Sequence, residues 1–207
     1  MKVLLIGSGG REHCLALKLA ESPKLTKLFI APGNAGTAEV GENIDIKDTQ
    51  IDELLDFALS NKIDLTIVGP EAPLVAGVVD IFKNKGLAII GPDKVGAQLE
   101  GSKKWAKTLM LKYGIPTAMF QDFDDYDEAC KYLKQRNEYP IVIKADGLAA
   151  GKGVTVAHSE EDAVQALKTC FLDRDFSEAG DSVVIEDFLE GEEASIFAFT
   201  DGKQFCQ

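Results

Sequence analysis

The sequence predicts an α/β fold, with a doubly wound parallel sheet in its first half and an α+β domain beginning in its second. Three observations predict it. Over the first hundred residues, short apolar runs alternate with segments of helical periodicity, as expected for buried parallel strands joined by helices. After residue 101 the rhythm changes, and a glycine-rich hairpin replaces that alternation. The apolar content of 45% is that of an ordinary globular chain.

The elements of the first half follow from the apolar pattern and from the residues that interrupt it. Apolar runs predict strands at 3–6, 28–30, 65–68 and 88–90, and spaced apolar residues predict helices at 11–21, 51–59 and 74–84. Glycine or proline follows each strand. Because strand and helix alternate, the sheet should be parallel, and ligands should bind at the carboxyl ends of its strands.

Three glycine-bearing loops follow those carboxyl ends, at 7–13, 31–37 and 69–73, and we expect them to share one cleft. A dinucleotide-binding domain is the first alternative. Its fingerprint needs a third glycine where Glu12 stands, and an acidic residue where the second strand ends in Ala31-Pro32-Gly33. The sequence therefore disfavours that alternative.

The first of these loops can still bind an anion, because the helix that follows presents free N–H groups and a positive dipole end. Arg11 is either a bidentate phosphate contact or a solvated arginine at a strand-to-helix turn. His13 lies one position further into the helix and is more simply a partly buried polar residue than a functional one.

Helix caps and turn residues mark the elements of the second half. Ser102 caps a helix at 103–112 that Gly114 ends, and Ser159 opens a capping pattern before another helix. A further helix is predicted at 126–136, and extended segments at 118–121, 141–143, 154–157, 181–186, 194–199 and 203–207. The last two flank Asp201-Gly202, a hairpin signal whose short second arm leaves an open sheet edge. We therefore expect this chain to be the front part of a longer protein.

Charge and cysteine use exclude several classes of function. A net charge of −12 argues against a general nucleic-acid surface, although a few local lysines can still set the field of a phosphate site. The four cysteines are scattered and there are only two histidines, so neither a zinc site nor a disulfide framework is expected. No run of residues approaches a membrane span. We expect a cytoplasmic protein without nucleic-acid or membrane partners.

The most informative segment is the glycine loop, residues 145–154, which joins two predicted strands. Lys144 precedes it, and Lys152 lies within it. Glycines let backbone N–H groups approach phosphate oxygens, and the lysines add positive charge. The loop is not a Walker A sequence, because Gly153 stands where a serine or threonine would hold Mg²⁺ and a strand follows. It is either a lid over a nucleotide or a mobile hairpin without a ligand.

Six motifs in order resemble the phosphoribosylamine–glycine ligase (glycinamide ribonucleotide synthetase) family of ATP-grasp enzymes, and the resemblance covers all 207 residues. The motifs lie at 7–13, 31–37, 68–74, 99–103, 142–154 and 186–195. The resemblance implies a substrate-binding pre-ATP-grasp domain at 1–100, followed by the first part of an ATP-grasp domain at 101–207, with a nucleotide lid at about 122–190.

The resemblance also implies roles for individual residues. The backbone at 186–189 would read the adenine, Glu193 would accept hydrogen bonds from the ribose, and Lys103 and Lys144 would contact phosphates. The implied ATP contacts are Lys103, Lys144, Gly147, Gly151, Lys152, Gly153, Glu186, Asp187, Phe188, Leu189 and Glu193. The implied substrate contacts are Gly9, Gly10, Arg11, Glu12, His13 and Glu71. Without the resemblance, Lys103 and Glu193 would be interpreted as solvated surface charges.

The implied reaction is the ATP-driven joining of glycine to 5-phosphoribosylamine through a glycyl phosphate, in purine biosynthesis, by a protein that is a monomer at full length. The Mg²⁺ ligands of the family lie beyond this chain, so we expect no metal ligand within it, no assignable catalytic residue, and no turnover by the fragment alone. Two alternatives stay open: another ATP-grasp carboxylate–amine ligase, and a non-catalytic nucleotide-binding fragment.

Overall fold

The first half of the chain is a five-stranded parallel sheet. The computed structural model describes residues 1–149, 152–173, 175–200 and 202–206. The strands are β1 (Lys2–Gly7), β2 (Lys27–Pro32), β3 (Glu42–Asn43), β4 (Leu65–Val68) and β5 (Ile89–Ile90). They lie in the order β3-β2-β1-β4-β5, and every pairing is parallel. The strand order reverses beside β1, so the crevice between the carboxyl ends of β1 and β4 is the expected ligand position.

Helices cover both faces of this sheet, as the doubly wound prediction requires. The helices are α1 (Gly10–Ala20), α2 (Ile51–Asn61), α3 (Glu71–Ala76) and α4 (Val78–Asn84). Side chains of β1 alternate between the faces: Leu4 and Ile6 pack with residues of α2 and α4, whereas Val3 and Leu5 pack with Ala16 of α1. Because both faces are buried, the strands are continuously apolar.

The second half contains an antiparallel sheet with two helices packed on one of its faces. After the short α5 (Gln98–Gly101) come α6 (Lys103–Tyr113), β6 (Phe120–Phe123), α7 (Tyr126–Arg136), β7 (Ile141–Ala145), β8 (Val154–Ala157), α8 (Glu160–Phe171) and β9 (Val183–Asp187). The sheet order is β6-β9-β7-β8, with antiparallel pairing throughout. Residues of α7 and α8 pack with this sheet around one buried core. The hairpin predicted around the glycine loop is therefore β7 paired with β8.

Local signals account for the helix ends of this half. The Ser102 hydroxyl accepts a hydrogen bond from Trp105 N at 3.0 Å, and Gly114 ends α6 with φ of +65°. Asp125 and Ser159 cap α7 and α8 in the same way, at 2.9 and 3.1 Å. Each cap satisfies an N–H group that the helix itself leaves without a partner.

Three expectations differ from the structure. The helix expected at 74–84 is two helices, because Gly77 adopts φ of +94° and breaks the ladder between α3 and α4. The short β3 was not predicted, since two polar residues carry no periodic signal. The strand expected at 194–199 is irregular up to β10 (Phe199–Thr200), which pairs with β11 (Phe205–Cys206). Among the described residues, no helix has the length and apolarity to cross a membrane.

Candidate active site

The turn after β1 is built around a buried carboxylate. Glu12 is 3% exposed, and its Oε2 accepts a hydrogen bond from Gly9 N at 2.6 Å. Its Oε1 lies so close to the turn after β4 that a Cβ at Gly69 would stand 2.2 Å from it. The residue that disfavoured the dinucleotide fingerprint thus lies beneath two loops, hydrogen-bonded to the first and packed against the second. Its Oε1 has no hydrogen-bond partner among the described residues.

The loop after β2 is tied to the loop after β1. Asn34 Nδ2 donates to Ser8 O at 2.8 Å, and the half-buried His13 imidazole packs against the backbone of Gly36. His13 therefore contacts protein at the point where the two loops meet. Gly9 and Gly10 are exposed at the start of α1. The Gly9 N–H is engaged by Glu12, so the N–H groups that this helix start offers to a ligand begin at Gly10.

Arg11 and Glu71 link the loops that follow β1 and β4. Arg11 Nη2 lies 2.8 Å from Glu71 Oε1, with both side chains partly exposed. The hydrogen bond to Glu71 raises the pKa of Arg11. Burial opposes ionisation of Glu71, but a backbone N–H and the Arg11 guanidinium outweigh it and lower the pKa of this carboxyl. The loops predicted to share one edge of the sheet do share it.

The loops after β1 and β4 form one wall of a cleft, and the second half of the chain forms the other wall. The cleft has a volume of about 570 Å³. Its lining includes Arg11 and Glu71 from the first half, and Lys103, Gly147 and Gly153 from the second. The structure therefore brings residues from both predicted sets, substrate and ATP, to the same cavity.

Lys103 is held at this cleft by the start of the glycine loop. Its Nζ donates to Gly147 O at 3.0 Å, and its backbone N donates to Asp146 O at 3.2 Å. The Asp146 carboxylate in turn accepts from Lys104 N at 2.7 Å and from the Ser102 hydroxyl at 3.0 Å. Burial lowers the pKa of the Lys103 ammonium. Lys103 is thus a partly desolvated cation at the amino end of α6, well suited to contact an anion.

Lys144 lies beside a second, adjoining cavity of about 340 Å³ that is also lined by Lys103 and Lys107. Both Lys144 and Lys107 form ion pairs with Glu186, whose side chain is 5% exposed. Sequence reasoning missed Lys107, although a signal exists. It lies four residues after Lys103 and therefore on the same face of α6.

The glycine loop is described except at Ala150 and Gly151, so the Gly151 prediction lies outside the described residues. Lys152 is exposed, and its N donates to Ala149 O at 2.9 Å. Gly153 O accepts from Ala145 N at 2.8 Å, which closes the base of the loop. The described residues of the loop therefore line one side of the cleft.

The predicted adenine hinge begins where β9 ends. Asp187 forms an ion pair with Arg136, and its N donates to Met119 O at 3.0 Å, so part of the hinge backbone is already engaged. Phe188 and Leu189 continue as exposed, irregular chain. Glu193 is exposed in the same irregular stretch and, within the described part of the chain, is not among the residues lining either cavity. The described residues contain no group of three acidic, cysteine or histidine side chains arranged to hold a metal ion.

Comparison with known proteins places this geometry in context. A family model described as phosphoribosylglycinamide synthetase, N domain, matches residues 1–100, and one described as phosphoribosylglycinamide synthetase, ATP-grasp (A) domain, matches residues 101–207. Phosphoribosylamine–glycine ligase of Pasteurella multocida is 54% identical over 205 residues, which cover 98% of this chain and 48% of that protein. The chain spans about half the length of the curated relatives it matches.

Solved structures agree with the sequence matches. A crystal structure of phosphoribosylamine–glycine ligase from Thermotoga maritima superposes with a TM-score of 0.79 at 32% identity, over 99% of this chain and 48% of the other. The biotin carboxylase domain of Hydrogenobacter thermophilus 2-oxoglutarate carboxylase, in complex with magnesium ADP and bicarbonate, has a TM-score of 0.73 at 20% identity, over 91% of this chain and 44% of the other. The second likeness concerns the fold alone. Since the two family models together match the entire chain, it belongs to the phosphoribosylglycinamide synthetase family, with an N domain followed by an ATP-grasp domain.

Proposed function

We propose that this chain, within the full-length gene product, contributes to an ATP-dependent ligase that joins glycine to 5-phosphoribosylamine, giving glycinamide ribonucleotide, ADP and phosphate. The single observation that carries the proposal is the cleft itself. The loops after β1 and β4, at the switch point of the parallel sheet, lie opposite Lys103 and the glycine loop. The cleft between them has a volume of about 570 Å³, which suits small ligands.

The proposed chemistry is phosphoryl transfer followed by amide formation. The carboxylate of glycine attacks the γ-phosphate of ATP and releases ADP, and the amine of phosphoribosylamine then displaces phosphate from the glycyl phosphate. Such reactions depend on positioning and on neutralising the charge of the transferred group. Lys103 and Lys144 would supply that positive charge, and closure of the glycine loop would exclude water.

The remaining assignments follow the same division of the cleft. Arg11 and the exposed N–H of Gly10, with Gly9 beside them, would bind the phosphate of phosphoribosylamine, while Glu71 lines the cleft next to it. Glu12 and His13 would act from beneath the loops by holding them in place. The hinge backbone at 186–189 would read the adenine, with Glu193 at the ribose and Gly147, Lys152 and Gly153 near the phosphates.

Magnesium, when bound, would supply neutralisation of the triphosphate charge. The described residues offer no cluster of ligands for it, so we propose that its ligands come from the part of the family that this chain does not span. The proposed domain division is 1–100 and 101–207, with the lid at about 122–190. We further propose that the full-length gene product is a cytoplasmic monomer.

The experiment is ADP release by the purified full-length gene product with Mg²⁺-ATP. We expect release only when both glycine and phosphoribosylamine are present, with glycinamide ribonucleotide identified by mass. ADP release with a different carboxylate and amine would instead support another ATP-grasp ligase. ATP binding with no ADP release under any pair would support a non-catalytic nucleotide-binding protein, and absence of ATP binding would contradict all three.

A further inference from the structure

The charged group around Glu186 contains a cation that the proposed phosphate contacts do not require. Glu186 is 4% exposed, and it pairs with Lys144 through Oε1 and with Lys107 through Oε2. Lys144 is 27% exposed at the smaller cavity, whereas the Lys107 side chain is 10% exposed. One buried carboxylate therefore lies between an inner and an outer lysine.

The inner lysine is fixed by further contacts with protein groups. Lys107 Nζ donates to Thr117 Oγ1 at 2.8 Å and to Ala118 O at 3.3 Å, and it lies 5.2 Å from the centre of the Phe120 ring. Thr117 and Ala118 belong to the segment that joins α6 to β6, and Phe120 begins β6 and pairs with Glu186 of β9. Because its donors are already engaged by protein groups, Lys107 is held in place behind Glu186.

We propose that Lys107 is a positioning residue, which neutralises Glu186 so that the charge of Lys144 is available to a nucleotide phosphate. This inference rests on the proposed function, since it needs a nucleotide at this cavity. It follows from counting charges. Two lysines and one carboxylate give the group a net charge of +1, and the exposed member carries it to the cavity.

Without Lys107, the remaining Lys144–Glu186 pair would be neutral. A phosphate that drew Lys144 away would leave a buried carboxylate without a partner, which is strongly unfavourable. With Lys107 present, Glu186 keeps a counter-charge whether or not Lys144 contacts a ligand. The inner lysine thus acts on the ligand only through Glu186.

The charge count makes the test a double-mutant cycle on the full-length gene product, with ATP affinity measured by titration calorimetry. Lys107→Met reduces the group to zero charge, and we expect ATP to bind at least about tenfold more weakly, as for other buried charge pairs that lose one partner. Lys107→Met combined with Glu186→Gln restores a charge of +1. That double variant should recover affinity to within about threefold of the parent protein. Lys112→Met, at an exposed lysine near the end of the same helix, is the matched control and should bind ATP as the parent does.

Each result decides something. If Lys107→Met lowers ATP affinity and the double variant does not recover it, Lys107 acts by supporting the fold, and the inference is overturned. Recovery of ATP affinity by the double variant supports the inference even if both variants have a lower melting temperature than the parent. A purely structural loss would persist in the double variant, because it also lacks Lys107. Normal ATP binding by Lys107→Met overturns the inference while leaving the proposed function intact. If the parent protein binds no ATP, the proposed function fails and the inference fails with it.

Discussion

The close approach of Gly69 to Glu12 leads to a sharp prediction about stability. A Cβ at Gly69 would stand 2.2 Å from Glu12 Oε1, and 2.6 Å from both Cδ and Cγ. Since real carbon contacts are much longer, Gly69→Ala must push the Glu12 side chain away. Glu12 is buried, so it has no open space to enter, and its hydrogen bond from Gly9 N at 2.6 Å must break or distort.

Two costs set the magnitude. Loss of a hydrogen bond to a charged group costs about 1.5–3 kcal/mol, and overpacking a filled site costs about 1–3 kcal/mol. Gly69→Ala should therefore lower the free energy of unfolding by about 3–5 kcal/mol, measured by urea denaturation with constant m-value.

The matched control is Gly10→Ala, because a Cβ at Gly10 meets no atom within 4 Å. Gly10 opens α1, so alanine there should be neutral or slightly stabilising. In a Glu12→Ala background, Gly69→Ala should lower the free energy of unfolding by less than it does in the parent protein, because the side chain that it clashes with is absent. A Gly69→Ala protein as stable as the parent would refute this account of the two loops.

The remaining predictions concern charge and motion. Lys144→Ala should weaken ATP binding by about 1–3 kcal/mol in calorimetry. The unfolding midpoint should stay nearly unchanged, because Glu186 retains its ion pair with Lys107. A variant that is strongly destabilised but whose folded fraction binds ATP normally would make Lys144 a structural residue. Amide hydrogen exchange in the glycine loop should be fast and should slow when ATP is added to the full-length gene product; equal rates with and without ATP would count against a lid. Folding lowers the pKa of Glu71. The ionised carboxyl therefore stabilises the fold at pH values above its ordinary pKa of 4.5, and this stabilisation is lost as the pH falls through the lowered pKa of the folded state. Glu71→Gln and Arg11→Met should therefore each reduce the loss of unfolding free energy that the parent shows on acidification. If parent and variants show the same dependence of unfolding free energy on pH, this exposed pair does not contribute to stability.

Local patterns in the sequence determined where most elements begin and end. Helix α7 spans the predicted 126–136, and Ser102 and Ser159 cap the helices that follow them, as expected. A cap forms within three residues, and apolar periodicity is read within a dozen, so both are available without the fold. The motifs that carried the family resemblance are equally local, which is why membership could be recognised before the cleft was seen.

Tertiary packing alone decided which charged groups meet. Asp146 accepts a hydrogen bond from the first turn of α6 although it lies more than forty residues away in the sequence. Glu186 of β9 forms ion pairs with Lys107 of α6 and Lys144 of β7. Nothing near Glu12 in the sequence indicates that its carboxylate lies beneath Gly69. The partner of a buried charge is set by which elements pack together, because only a desolvated position makes the pairing obligatory. The sequence by itself thus determined the fold class and the motifs, whereas the folded chain decided how their charges are combined.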